Sequence, residues 1–323
     1  MDQPDILMTA PMLPVVTASL EAHFRLHRLW DHDADTFLRE VGPRIRGVAT
    51  STLFGRVGSS LFDRLPKLEI VASFGVGYDN VDVAEASRRG IVVTNTPGVL
   101  DDEVADFTIG LLLATLRQIP QADRYLRQGR WLERNFPLSP TLRGRRIGIV
   151  GLGRIGKAVA RRLEGFGVEI AYHGRSRQAG VRYAYHPTAL KLAATSDVLI
   201  VLAPGGAATS HLIDAAVIAA LGANGVLINV ARGSLVDETA LIAALGSGAL
   251  LAAGLDVYAD EPRVPEALIT LPNTVLLPHI ASGSLATRDA MGKLVADNLI
   301  AWFETGAPLS AVIQEPSARP AAR

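Results

Sequence analysis

Arg232, Glu261 and His279 each follow a short apolar run of strand length, in Asn229-Val-Ala-Arg-Gly233, Asp256-Val-Tyr-Ala-Asp-Glu-Pro262 and Pro278-His-Ile-Ala. A guanidinium makes planar, charge-assisted hydrogen bonds, so Arg232 can hold a carboxylate and polarise a neighbouring ketone. An imidazole exchanges its proton near neutral pH, so His279 can protonate a carbonyl oxygen as it is reduced and take the proton back in reverse. A carboxylate at Glu261 can bond the other ring nitrogen, which orients the ring, fixes its tautomer and raises its basicity. Taken singly, each residue also reads as a solvated arginine, a structural histidine or a Glu-Pro turn. Their shared placement unites them, because ligands of an open parallel sheet gather beyond the carboxyl ends of its strands. The set suits a small 2-oxo acid. The backbone N–H groups around Val76 and Gly77, after the strand ending at Phe74, offer that acid a carboxylate cradle.

The element that must position these groups beside a redox partner is written in Gly151-Leu-Gly-Arg-Ile-Gly156. The apolar run Ile147–Val150 predicts a buried strand before it, and a helix begins at Arg154 and Ile155. Gly151, Gly153 and Gly156 allow a tight turn and a close backbone approach to a pyrophosphate at the helix N-terminus. A second strand is expected over Val168–Tyr172. NAD-binding proteins place an acidic residue just beyond it, where it binds the ribose hydroxyls. Here the chain reads Ala171-Tyr-His-Gly-Arg-Ser-Arg177, with His173 near the acidic position. Arg175, Ser176 and Arg177 suit a 2′-phosphate instead, so NADPH is expected to be preferred, with NADH possible. The bland alternative is a solvated basic loop. Ala203 and Pro204 are expected near the ribose, Ala231 along the cofactor, and Asp256 at the nicotinamide amide.

Strands are expected at 147–150, 168–172, 198–202, 226–230, 252–256 and 274–277, alternating with helices. That alternation predicts a parallel, doubly wound sheet. Residues 1–101 form another α/β unit, with strands near 68–74 and 91–94, a helix over Leu20–Phe37 and Asp101 as N-cap of a helix to Leu116. A last helix over 285–303 returns to this unit. The expected domains are therefore 1–101 with 287–323, for substrate, and an inserted 102–286, for the dinucleotide. His23 and His27 share one face of the expected helix, with His32 nearby, but metal binding is not expected. The chain has 323 residues, 49% of them hydrophobic, and 32 basic residues balance 32 acidic ones. That is ample core for two domains, with no basic field for nucleic acid or an anionic membrane. There is no cysteine, hence no thiolate chemistry, which fits a reducing, cytoplasmic setting. The start lacks the basic region of a secretion signal, and the longest apolar stretch, Phe107–Leu116, is too short for a membrane span.

From about Leu65 to Phe303 the chain resembles the D-isomer-specific 2-hydroxyacid dehydrogenases, and among them the glyoxylate/hydroxypyruvate reductases. The segments that carry this are Phe74-Gly-Val-Gly-Tyr-Asp79, Val93-Thr-Asn-Thr-Pro-Gly98, Gly151-Leu-Gly-Arg-Ile-Gly156, Asn229-Val-Ala-Arg-Gly233, Asp256-Val-Tyr258, Glu261-Pro262 and Pro278-His279. The resemblance implies a Rossmann-type cofactor domain inserted in a smaller flavodoxin-like substrate domain, a homodimer, and catalysis by Arg232, Glu261 and His279. It implies reduction of glyoxylate to glycolate and of hydroxypyruvate to D-glycerate. Trp131 either borders the neighbouring subunit's substrate or packs an interface. Leu53 and Phe54, in the least similar region, would restrict the pocket, and Arg56 would meet a distal polar group or solvent. Two other readings stand. One is the same chemistry on a bulkier acid, such as 2-ketogluconate or hydroxyphenylpyruvate. The other is a dinucleotide-sensing scaffold of the corepressor kind.

Overall fold

A computed structural model describes residues 3–51 and 55–312. The chain divides into two compact units, one of Met1–Leu100 with Ser284–Arg323, the other of Asp101–Gly283.

The first unit is built on five parallel strands: β1 (Asp5–Met8), β2 (Arg25–Arg28), β3 (Ile45–Ser51), β4 (Ile70–Phe74) and β5 (Val92–Thr94), in the order β2-β1-β3-β4-β5. This is the flavodoxin-like order. Strands β1 and β4 are covered on both faces and read as unbroken buried runs, and β3 is interrupted only by the exposed Arg46. The helix Leu285–Thr305 returns to pack on Pro14–His23 and β4. The helix expected over Leu20–Phe37 is not there. Helix Pro14–His23 ends at Phe24, whose backbone is extended, and β2 follows at the sheet edge. An edge strand such as Arg-Leu-His-Arg has no buried alternation to betray it, and pairing with β1 decides its state. The three histidines therefore lie in different settings. His23 closes a helix, His27 bonds Asp5 at 2.6 Å, and His32 stacks on Phe37 with ring centres 4.1 Å apart.

The second unit carries seven parallel strands: β6 (Arg146–Val150), β7 (Glu169–His173), β8 (Ala184–His186), β9 (Val198–Val201), β10 (Val226–Asn229), β11 (Ala252–Leu255) and β12 (Thr274–Leu276). Their order is β12-β11-β10-β9-β6-β7-β8. The winding reverses at β6, which pairs with β7 on one side and β9 on the other, and a dinucleotide crosses such a sheet there. The fold is thus Rossmann-type α/β. Strand β8 escaped sequence reading because it is a short edge strand without an apolar run. Leu199, Val201, Leu227, Leu235 and Leu255 are nearly fully buried in one cluster beside these strands, each stabilising the sheet by about 1.5–3 kcal/mol. Asp101 is not an N-cap. It is the first residue of helix Asp101–Leu116, and its carboxylate accepts from Arg154 Nε at 2.7 Å. Among the described residues no helix is long and apolar enough to cross a membrane.

Candidate active site

The glycine turn follows β6. Gly151 has φ +99°, and a Cβ there would lie 2.5 Å from the backbone nitrogen of Ala203 at the end of β9. At Gly156 a Cβ would lie 2.3 Å from the Gly151 carbonyl oxygen, so only glycine lets the helix close on the turn. Gly153 differs, because a Cβ there would meet nothing within 4 Å. Gly153 is also the N-cap of the eleven-residue helix Arg154–Glu164 and gives it no side-chain cap. The first N–H groups of that helix, including those of Arg154 and Ile155, have no intrahelical acceptor and stand at the positive end of the helix dipole. This cradle fits a dinucleotide pyrophosphate. Ala203 is buried and Pro204 exposed beside the turn. Past β7, Arg175, Ser176 and Arg177 are exposed, and neither arginine forms an ion pair with a described residue.

The polar residues at the ends of β10, β11 and β12 are held by a connected set of hydrogen bonds. Asn229, buried at the end of β10, accepts from the Ala231 N–H at 3.1 Å and donates to the Arg232 carbonyl at 2.9 Å, which shapes the turn that carries Arg232. The Arg232 guanidinium donates to the Ala231 carbonyl at 2.7 Å. Gly233 lets this turn touch the next, since a Cβ there would lie 1.8 Å from the Tyr258 carbonyl carbon. Glu261 accepts the Tyr258 N–H at 3.0 Å through Oε1 and meets Nδ1 of His279 at 2.6 Å through Oε2. Burial, the largest single influence, favours the neutral acid. The His279 hydrogen bond, the Tyr258 N–H and the charges of His279 and Arg232 outweigh it and hold the Glu261 carboxyl below its ordinary range. A carboxylate only accepts, so Nδ1 of His279 carries the hydrogen and Nε2 is the position left for a ligand.

His279 has φ +54°, a left-handed backbone that costs a side-chain-bearing residue roughly 1–2 kcal/mol. The next residues show what holds it. The N–H groups of Ile280 and Ala281 donate to the two carboxylate oxygens of Asp256, each at 2.8 Å, and Asp256 is fully buried. Burial is the main influence raising its carboxyl above the usual value, against the pull of those two N–H groups. Sequence reading gives Asp256 to the nicotinamide amide. In the structure both its oxygens hold the His279 loop. Tyr258, which sequence reasoning passed over, donates its hydroxyl to the Leu277 carbonyl at 3.0 Å. Burial first, then the Asp256 charge, push that hydroxyl up to about 12, so it stays a donor at neutral pH. The signal in the sequence was a buried-type strand, β11, ending on Asp-Val-Tyr.

The other residues singled out in the sequence belong to other elements. Val76 and Gly77 belong to the first unit, in the loop after β4, where the Val76 carbonyl accepts from the Asn95 amide at 2.8 Å. Leu53 and Phe54 lie outside the described residues, and Arg56 is exposed. Trp131, in the 3-10 turn Arg130–Leu132, is 63% exposed and is followed by the exposed Leu132 and Leu138.

Comparison with known proteins agrees with this geometry. The profile described as D-isomer specific 2-hydroxyacid dehydrogenase, NAD binding domain, matches residues 109–281. The chain is 47% identical to hydroxyphenylpyruvate reductase of Plectranthus scutellarioides, over 94% of this chain and 97% of that protein. It is 45% identical to glyoxylate/hydroxypyruvate reductase A of Arabidopsis thaliana, over 97% and 100%. Among solved structures, the NADPH-dependent glyoxylate/hydroxypyruvate reductase of Sinorhizobium meliloti in complex with NADP and malonate superposes with a TM-score of 0.91 at 52% identity, covering 99% of this chain and 100% of that one. A glycine turn open to a dinucleotide, a strand-end Glu–His pair and these likenesses lead to one conclusion: the chain belongs to the D-isomer-specific 2-hydroxyacid dehydrogenases and is an enzyme that uses a nicotinamide cofactor.

Proposed function

We propose that the protein reduces short 2-oxo acids, glyoxylate to glycolate and hydroxypyruvate to D-glycerate, with NADPH preferred over NADH. The observation that carries the chemistry is the 2.6 Å pair of His279 Nδ1 with Glu261, which leaves Nε2 as the proton-donating position. The bound nicotinamide supplies the hydride that reduces the carbonyl carbon. Arg232 holds the substrate carboxylate and draws electron density toward the carbonyl oxygen. His279 gives its Nε2 proton to that oxygen and regains one from solvent after product leaves. Glu261 stabilises the imidazolium before transfer and keeps the ring in place. Asn229, Asp256 and Tyr258 hold the backbone on which these three stand. Reduction therefore consumes the Nε2 proton of His279, and oxidation returns one to it.

The cofactor preference rests on the loop after β7, which holds Arg175, Ser176 and Arg177 and no carboxylate. A homodimer is proposed on the exposed Trp131, Leu132 and Leu138, since such an apolar set on one segment marks an interaction face. The similarity to a hydroxyphenylpyruvate reductase favours a second reading, the same chemistry on a bulkier acid. Steady-state kinetics on glyoxylate, hydroxypyruvate, 2-ketogluconate and hydroxyphenylpyruvate, each with NADPH and NADH, decide. The highest kcat/KM is expected for a short acid with NADPH. A higher value for a bulky acid, or an equal one for NADH, overturns the corresponding half of the proposal.

A further inference from the structure

The five residues Gly174–Gln178 form the basic loop, and it is tied at both ends. Tyr172, 1% exposed in β7, accepts the Gln178 N–H on its hydroxyl at 2.8 Å. The Tyr185 hydroxyl donates to the Gly174 carbonyl at 3.3 Å. The Gln178 side-chain amide then reaches back and donates to the Leu152 carbonyl, inside the glycine turn, at 2.8 Å. A separate bond joins the same two regions, from the Gly151 N–H to the His173 carbonyl at 2.9 Å. The exposed Arg175, Ser176 and Arg177 stand between these ties.

We infer that Tyr172 and Gln178 are positioning residues for cofactor selectivity: they fix the offset between the arginine loop and the phosphate-binding glycine turn. The inference rests on the reading that the loop takes a 2′-phosphate. A ligand that carries phosphate on both the 2′ and the 5′ oxygen of its adenosine ribose must engage both loops at once. A loop free to move would be ordered at the moment of binding, and the lost entropy would weaken the complex. A loop already fastened by Tyr172 and Gln178 presents its guanidinium groups in place. The glycine turn does not depend on these ties, because it is held by Gly151 against β9, by Gly156 against its own helix and by the bond to His173. Removing the ties should therefore harm recognition of the 2′-phosphate and spare that of the 5′-phosphate.

Calorimetric titration of the full-length protein with 2′,5′-ADP and with 5′-AMP tests this without turnover, on the wild type, Tyr172→Phe and Gln178→Leu. Each substitution keeps the side-chain bulk and deletes one tie, and melting temperatures check that the fold survives. Binding of 2′,5′-ADP should weaken about tenfold in Gln178→Leu and somewhat less in Tyr172→Phe, as loss of a hydrogen bond predicts, while 5′-AMP stays within about twofold. A wild type that prefers 2′,5′-ADP, with variants that keep the full preference or lose both ligands equally, overturns the inference and leaves the NADPH reading standing. A wild type that binds the two probes equally overturns the NADPH reading and the inference with it.

Discussion

The strand-end corner around His279 and the basic loop after β7 belong to one sheet and are built in opposite ways. In the corner every functional group is backed by a buried partner: Asp256 under the His279 loop, Asn229 under the Arg232 turn, Tyr258 between them. In the loop the functional groups are exposed, and only the ends are fastened. Proton transfer rewards sub-ångström placement of a few atoms, and the residues proposed for it sit on an over-determined scaffold. Choice between two dinucleotides is a difference in binding energy at one phosphate, which surface residues can set and reset. The corner should therefore respond to mutation through kcat, and the loop through cofactor affinity.

The largest effect is expected where the corner loses its proposed proton donor. His279→Ala should lower kcat for reduction by about 10²–10⁴-fold, with cofactor binding by fluorescence titration unchanged. Near-wild-type turnover would remove His279 from the chemistry. Next comes the clamp. Asp256→Asn keeps the shape but replaces one acceptor with a donor facing an N–H, and the freed loop should misplace the imidazole. A fall of about 10²-fold in kcat is expected, with the cofactor dissociation constant nearly constant. A change in cofactor affinity alone would favour the nicotinamide contact expected from the sequence. Third, Arg175→Ala should raise KM for NADPH about tenfold and leave KM for NADH unaltered, since one charge-assisted contact is lost. Equal changes for both cofactors would dissolve the contrast between the two regions.

The smallest effect is on stability. The Glu261 carboxyl is lowered in the folded protein, so its pairing stabilises the fold above the ordinary carboxyl range, and that contribution is lost as pH falls through the lowered folded value. Denaturation of wild type and Glu261→Gln from pH 7 to pH 3 should show a gap that is constant near neutrality and closes only in the acid limb. A gap independent of pH would mean that the carboxylate charge contributes nothing to the pair.

The inner strands of the second sheet, and β4 of the first, were legible because parallel strands covered on both faces leave apolar runs; the inner strands β1 and β3 of the first sheet were not read. The edge strands β5 and β12 were expected from their apolar runs, whereas the edge strands β2 and β8 were not, since pairing along one side forms them and their residues keep partial contact with water. Arg232, Glu261 and His279 stood out by residue type at the ends of such runs. The Asp256 clamp did not, because its partners are backbone N–H groups, which every sequence has and none displays. Tyr258 was hidden likewise, with a carbonyl as its acceptor. The left-handed backbone of His279 was equally invisible, for a sequence marks such positions only when glycine fills them.

The return of the helix Leu285–Thr305 to the first unit bears on how the protein is made. The ribosome delivers Asp101–Gly283 whole before that helix exists, so the dinucleotide-binding unit can fold while synthesis continues. The N-terminal sheet, though translated earliest, must wait with part of β4 uncovered until its covering helix leaves the exit tunnel. The oldest part of the nascent chain is thus the last to be finished.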